Sequence, residues 1–234
     1  MQIDINQLKQ RLDQVKERIA TACQQAGRQP DEMTLIAVSK TKPVEMVKAY
    51  AHLGLDHFGE NYVQEGVEKA AQCPALTWHM IGPIQSNKTR AIAQHFNWIH
   101  SIDRFKIARR LNEQLANERA PLPVLIQVNT SGEASKAGVS PEALPALAEA
   151  IAELPNLQLR GLMTIPAPSQ DLESQRKPFR HLRQLLAQLN QQGFCLDTLS
   201  MGMSADLEAA ILEGATMVRI GTDLFGPRAY PPPK

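Results

Sequence analysis

Lys40 closes the run Thr34-Leu35-Ile36-Ala37-Val38-Ser39-Lys40, which Pro43 stops. An apolar run of this length, rich in branched residues, reads as an interior parallel strand, although periodicity alone does not separate it from a buried helix segment. On the two-residue period of a strand, Ile36, Val38 and Lys40 share one face. The ammonium then stands at the C-terminal end of the strand, where α/β folds place their chemistry. A lysine there is either a solvated strand end or a nucleophile for a carbonyl. A second group of residues bears on that choice. Ser200-Met201-Gly202-Met203-Ser204 joins a strand-like run to a helical one starting near Ala205, with Ser204 placed as its N-cap. A helix N-terminus preceded by glycine offers free N–H groups and a positive dipole end, which suit a phosphate. Arg219-Ile220-Gly221-Thr222 ends a further strand-like run with a glycine that admits close backbone approach and a hydroxyl. Read singly, Ser204 is a cap and Gly221 a turn residue; together they outline a phosphate seat.

Other motifs are weaker. Gly82-Pro83-Ile84-Gln85-Ser86-Asn87-Lys88-Thr89 is one residue from a phosphate-cradling G-x-x-x-x-G-K-[ST] loop, but Asn87 stands where the second glycine must let the backbone wrap the phosphates, and Pro83 removes an N–H. It reads as a turn with a polar helix start. His79 and His100 end predicted strands, and isolated histidines are most often hydrogen-bonded structural residues, so neither is given a role. Arg104, Lys106, Arg109 and Arg110 have the spacing of a solvated helix face. Cys23, Cys73 and Cys195 are odd in number and scattered, which suggests neither a disulfide framework nor a zinc site.

The elements that must hold Lys40 and the seat follow from periodicity. Ile5, Leu8, Leu12, Val15, Ile19 and Ala22 form one stripe of an opening helix that ends near Gly27. After the Lys40 strand, Pro43 suits a first helical turn, and Val44, Val47 and Ala51 carry a helix to Gly54. Strand-like runs recur at His57–Gly59, Trp78–Ile81, Trp98–Ser101, Val124–Val128, Leu157–Met163, Thr198–Met201 and Met217–Ile220, each separated from the next by a helical pattern, with helices predicted from about Asn61, Ser86 and Arg104. Eight strands alternating with helices predict an α/β fold, a single (β/α)8 barrel preceded by an extra N-terminal helix, with an open doubly wound sheet as the competing arrangement. No linker or repeat divides residues 1–234, so one domain is expected, with Tyr230–Lys234 as a short tail.

The 234 residues carry a net charge of +1 with charges mixed along the chain, which gives no electrostatic reason to bind nucleic acid or an anionic membrane. No apolar run approaches the roughly 20 residues that span a bilayer, and the N-terminus lacks the pattern of an export signal. A cytoplasmic protein is expected.

In a closed barrel strand one pairs with strand eight, so Lys40 and the seat after strands seven and eight become neighbours. A phosphate-bearing aldehyde fits both halves: its phosphate in the seat, its carbonyl as a Schiff base on Lys40, whose amine deprotonates more readily in a desolvated site near Arg219. Pyridoxal 5′-phosphate (PLP) is such an aldehyde. A cofactor-free Schiff-base aldolase is the weaker alternative.

Ala37-Val38-Ser39-Lys40-Thr41, Phe58–Glu65, Trp78–Lys88, Gly161-Leu162-Met163, Ser200–Ser204 and Val218–Thr222 occur in an order that resembles the pyridoxal phosphate homeostasis protein family nearly end to end. The resemblance implies an alanine-racemase-like barrel without the racemases' second β-domain. Lys40 matches the Schiff-base lysine, Ser200, Gly221 and Thr222 match phosphate-holding positions, with Ser204 beside them, and Arg219 matches an arginine that faces the pyridine nitrogen. Asn61 matches a position near the cofactor ring. A guanidinium stays protonated, so Arg219 leaves the ring a weak electron sink, poorly suited to transamination. Racemisation needs a second proton carrier, which in racemases comes from the appended domain of a partner subunit. The resemblance therefore implies a monomeric, non-enzymatic protein of vitamin B6 and amino-acid balance that stores PLP or delivers it to PLP-dependent apo-enzymes, with a PLP-dependent amino-acid racemase as the alternative.

Overall fold

The computed structural model describes residues 3–115, 120–131 and 137–227; the expected tail at Tyr230–Lys234 lies outside them. Eight parallel strands close on themselves in sequence order: β1 (Thr34–Val38), β2 (His57–Glu60), β3 (Thr77–Met80), β4 (Trp98–Ile102), β5 (Leu122–Gln127), β6 (Leu157–Met163), β7 (Thr198–Ser200) and β8 (Met217–Ile220). The competing open sheet is thereby excluded. Closure is made by β1 on β8, in a register that sets Ile36 beside Arg219.

Helices α1 (Ile5–Gln25), α2 (Val44–His52), α3 (Val63–Gln72), α4 (Thr89–His95), α5 (Phe105–Gln114), α6 (Leu144–Ala152), α7 (Leu172–Gln191), α8 (Leu207–Leu212) and α9 (Thr222–Phe225) surround the strands. Asp4 caps α1 by accepting from the N–H groups of Asn6 and Gln7, and Gly27 follows its end at φ +67°, a conformation that glycine adopts without steric cost. Leu8, Leu12, Val15, Ile19 and Ala22 are buried as the stripe requires, whereas Ile5 in the first turn is exposed. Pro43 is the N-cap of α2, one position before its expected place. The helix expected from Asn61 begins at Val63, and the one expected from Ser86 opens with a short 3-10 turn, Ser86–Lys88, ahead of α4. Among the described residues no helix is long and apolar enough to cross a membrane.

Strand alternation gives the wall two faces. Ala37, Phe58, Trp78, Ile99, Val124, Leu162, Val218 and Ile220 join the helices in one continuous apolar core. The opposite face lines the lumen, where a Cβ on Gly59 would stand 3.0 Å from Ile36 and 3.1 Å from Ile81. The near-phosphate-loop segment has a packing role: a Cβ on Gly82 would come within 2.2 Å of the Asn61 carbonyl oxygen, so this glycine lets the β3 turn press against the residue that follows β2.

Candidate functional site

A cavity of about 280 Å³ opens at the C-terminal ends of β1, β2 and β8. Lys40, Asn61, Ser204, Arg219, Gly221 and Thr222 line it, with Val38, Ile81, Ile165 and Met203 as apolar wall. Of the seven residues singled out from sequence, six converge here and Ser200 does not. The Ser200 hydroxyl is fully buried inside the barrel, where it accepts from Arg219 Nη1 at 2.6 Å and meets His100 Nδ1 at 2.8 Å. As the last residue of β7, on the lumen face, it lies outside the cavity lining and anchors Arg219.

Lys40 is carried on a tight turn just beyond β1, closed by the Lys42 N–H on the Ser39 carbonyl at 3.1 Å. Thr41, the next residue, has φ +62°, a left-handed conformation that strains a β-branched side chain. Three contacts hold the turn. The Thr41 N–H donates to Glu65 Oε1 at 2.7 Å, Ser39 Oγ donates to Glu60 Oε1 at 2.6 Å, and the buried Lys69 ammonium donates to the Ser39 carbonyl, Glu60 and Glu65, each at 2.7 Å. Burial raises the Glu60 pKa and Lys69 opposes that shift. Lys42, two residues beyond Lys40, donates to the Pro227 carbonyl at 2.9 Å, and burial beside Arg11 lowers its pKa.

The seat differs from its sequence outline. Ser204 does not cap α8, which begins at Leu207 with Asp206 in the N-cap position, and Asp206 Oδ1 accepts from the Met203 N–H at 2.6 Å to fold the intervening turn. With the turn closed by Asp206, the Ser204 hydroxyl is left to reach α9, accepting from the Asp223 N–H at 3.4 Å. Arg18 braces this corner from α1: it donates to the Ser204 carbonyl at 2.9 Å, to both Glu208 oxygens at 2.7 and 2.9 Å, and to Asp223. Helices α8 and α9 are too short to supply much dipole, so the seat rests on hydroxyls and on first-turn N–H groups of α9 that have no partner within their own helix. Gly221 needs no special backbone angle, and an added Cβ would meet Val38 only at ordinary contact distances of 3.5 Å and beyond. What its missing side chain keeps open is the cavity.

Arg219, 3% exposed, donates to Ser200 Oγ and, at 2.8 Å, to the Thr164 carbonyl. Burial lowers its pKa to about 10, against the pull of Asp206, so it remains a cation near neutral pH. Asn61 Oδ1 is buried without a hydrogen-bond partner. A cationic donor, an orphaned oxygen, an amine, two hydroxyls and a glycine opening suit a ligand that carries both a carbonyl and an anionic group. The bracing by Lys69, Glu60, Glu65 and Arg18 was not anticipated from sequence. The Glu65/Lys69 spacing of four on α3 was the one available signal.

The alanine racemase N-terminal domain family matches residues 10–229, so the chain belongs to that class of barrel. Within it the chain belongs to the pyridoxal phosphate homeostasis proteins. It is 59% identical to the one from Pseudomonas aeruginosa over 94% of this chain and 95% of that protein, and 50% identical to the one from Escherichia coli K12 over 97% and 99%. Among solved structures, PipY of Synechococcus elongatus with PLP bound is 37% identical, covers 91% of this chain and 100% of that one, and superposes with a TM-score of 0.79. Alanine racemase from Clostridium difficile, 17% identical with a TM-score of 0.76 over 96% of this chain and 58% of that one, shares the fold.

Proposed function

We propose that this protein binds PLP in the cavity beside Lys40 and holds it for vitamin B6 and amino-acid balance, without turnover, as a single-barrel monomer in the cytoplasm from which PLP-dependent apo-enzymes draw. The observation that carries this reading is the convergence of Lys40, Arg219, Ser204 and Thr222 on one cavity. Lys40 supplies the amine that condenses with the aldehyde, with loss of water. Ser204, Gly221 and Thr222 would receive the phosphate, and Asn61 Oδ1, buried without a partner, would be available to the ring substituents. Arg219, a donor only, would meet the ring nitrogen without protonating it, which favours holding over electron-sink chemistry. Bound PLP would supply an electrophilic carbonyl and a conjugated ring. The PLP bound to PipY and the names of the bacterial relatives support the choice of cofactor.

The test is spectroscopic. Added PLP should give a visible absorption band that Lys40→Ala abolishes, and an unchanged band in that variant would remove Lys40 from its role. Sustained exchange of the Cα proton of any common amino acid with solvent deuterium would overturn the non-enzymatic reading. Gel filtration checks the monomer.

A further inference from the structure

A line of hydrogen bonds runs from the cavity through the lumen to the opposite end of the barrel. Arg219 Nη1 donates to Ser200 Oγ at 2.6 Å, and Ser200 Oγ lies 2.8 Å from His100 Nδ1. His100 Nε2 lies 2.9 Å from His79 Nδ1, and His79 Nε2 lies 2.9 Å from His57 Nδ1. His57 is the first residue of β2, at the N-terminal edge of the barrel, and its Nε2 stands 3.8 Å from the Asp56 carboxylate. His79 and His100 are fully buried, while the His57 side chain keeps 29% of its exposure.

Among the described residues, one direction of the line gives every proton an acceptor. A guanidinium donates and never accepts, so Ser200 Oγ accepts from Arg219 and its own proton must go to an acceptor. His100 Nδ1 is the one within reach. A neutral imidazole has one donor and one acceptor nitrogen, so His100 then carries its proton on Nε2 and donates to His79, and His79 donates in the same sense to His57. Burial and the Arg219 charge keep His100 neutral, and burial with the two flanking rings does so for His79. The remaining neighbours are accounted for: Asp206 acts on Arg219, Trp98 stacks on His79 at 6.0 Å, and Arg160, 5.3 Å above the Trp98 ring, is paired with Asp197.

We propose that Ser200, His100, His79 and His57 are positioning residues that lock Arg219 from the far end of the barrel, so that protonation of His57 and seating of a ligand against Arg219 oppose one another. A proton added to His57 Nδ1 sets N–H against N–H at His79. Within the line, the conflict is relieved when His79 and His100 both switch tautomer, which delivers a second donor to Ser200 Oγ and turns the serine's own proton away from its acceptor. Ser200 Oγ then accepts from both Arg219 and His100 while its own buried proton loses that acceptor, which weakens the anchor of Arg219. By reciprocity, a ligand that requires the anchored Arg219 lowers the affinity of His57 for a proton. Identifying that ligand as PLP rests on the function proposed above; the direction of the line does not.

Ring-nitrogen NMR of histidine-labelled, ligand-free protein tests the line directly. His57, His79 and His100 should be neutral near pH 7.5 with the proton on Nε2, and an Nδ1-protonated or charged ring at His79 or His100 overturns the proposal. Ser200→Ala removes the polarity lock, so the His57 pKa should rise by about one unit, a tenfold gain in proton affinity. PLP should lower that pKa in the wild type and leave it unmoved in the variant. A His57 titration identical in both proteins, with and without PLP, overturns the coupling even where the tautomers agree. Wild-type protein that forms no PLP complex overturns the cofactor reading alone, because the tautomers and the Ser200→Ala shift are measured without PLP.

Discussion

Two buried cations stand on opposite faces of the barrel wall, and their partners differ in kind. Lys69, 4% exposed, packs outside β2 and meets two carboxylates and a carbonyl, Glu60, Glu65 and Ser39. Arg219, 3% exposed, projects into the lumen and meets a hydroxyl and a carbonyl, with the carboxylate of Asp206 acting on it only through space. A buried charge is tolerated when it is paired or well hydrogen-bonded. Lys69 is neutralised where it sits, so its work is structural: it pins the turn that carries Lys40. Arg219 is solvated by neutral dipoles, so its charge remains to be used by whatever enters the cavity. A compensated cation fixes geometry and an uncompensated one offers affinity.

That distinction makes opposite predictions for the two deletions. Lys69→Met strands the buried Glu60 beside the half-buried Glu65 and should cost on the order of 3–5 kcal/mol by denaturant unfolding. Adding Glu60→Gln should recover part of the loss. Arg219→Met removes a cation that no carboxylate touches directly and that Asp206 feels only through space, so its stability cost should be about 1–2 kcal/mol, whereas PLP affinity measured by absorbance titration should fall about tenfold or more, the worth of a charge-assisted hydrogen bond. Equal stability losses in the two variants would erase the comparison.

The wall of the barrel was legible in the sequence because strand and helix periods are local: β6 and β8 run between the residues that the pattern marked, and Gly27 follows α1. Lys40, Arg219 and Thr222 were legible because strand ends in a closed barrel share a face. Ser200, given a phosphate position by the resemblance, lies outside the cavity lining, and sequence order does not say whether a strand-ending hydroxyl faces the cavity or the lumen. Ser204 was misread as a cap because the competing carboxylate, Asp206, lies two residues on and folds the turn first. The histidine line could not be read at all: His57, His79 and His100 belong to three strands, and only the stagger of the closed barrel brings their rings into contact.

The lumen face also predicts a pH dependence that the Lys69 face does not share. His79 and His100 have folded-state pKa values well below the ordinary 6.5. In the unfolded chain they take up protons as pH falls through that value, while in the folded protein they stay neutral. The unfolded state therefore binds more protons in this window, and stability is present above about pH 6.5 and lost below it, by up to about 1.4 kcal/mol per pH unit for each histidine. Urea midpoints between pH 7.5 and 5 should fall accordingly, and His79→Gln should flatten the slope by one histidine's share. A midpoint that rises on acidification would contradict neutral burial of the line.

The smallest effect is expected where the Lys69 network meets Lys40. Thr41 holds φ +62° because its N–H is drawn to Glu65 within the turn that Ser39 and Lys42 close. A non-glycine residue in that region carries about 1–3 kcal/mol of strain, and glycine would remove it at a cost of about 0.5–1 kcal/mol in unfolded-chain entropy. Thr41→Gly should therefore be neutral to about 2.5 kcal/mol more stable in thermal unfolding. The same change frees the arm on which Lys40 stands, so PLP should dissociate a few-fold faster, followed as decay of its visible band after dilution. A variant that gains stability with no change in dissociation would show that the strain is incidental to Lys40; faster release would show that the Lys69 side of the wall holds the lysine in register with Arg219.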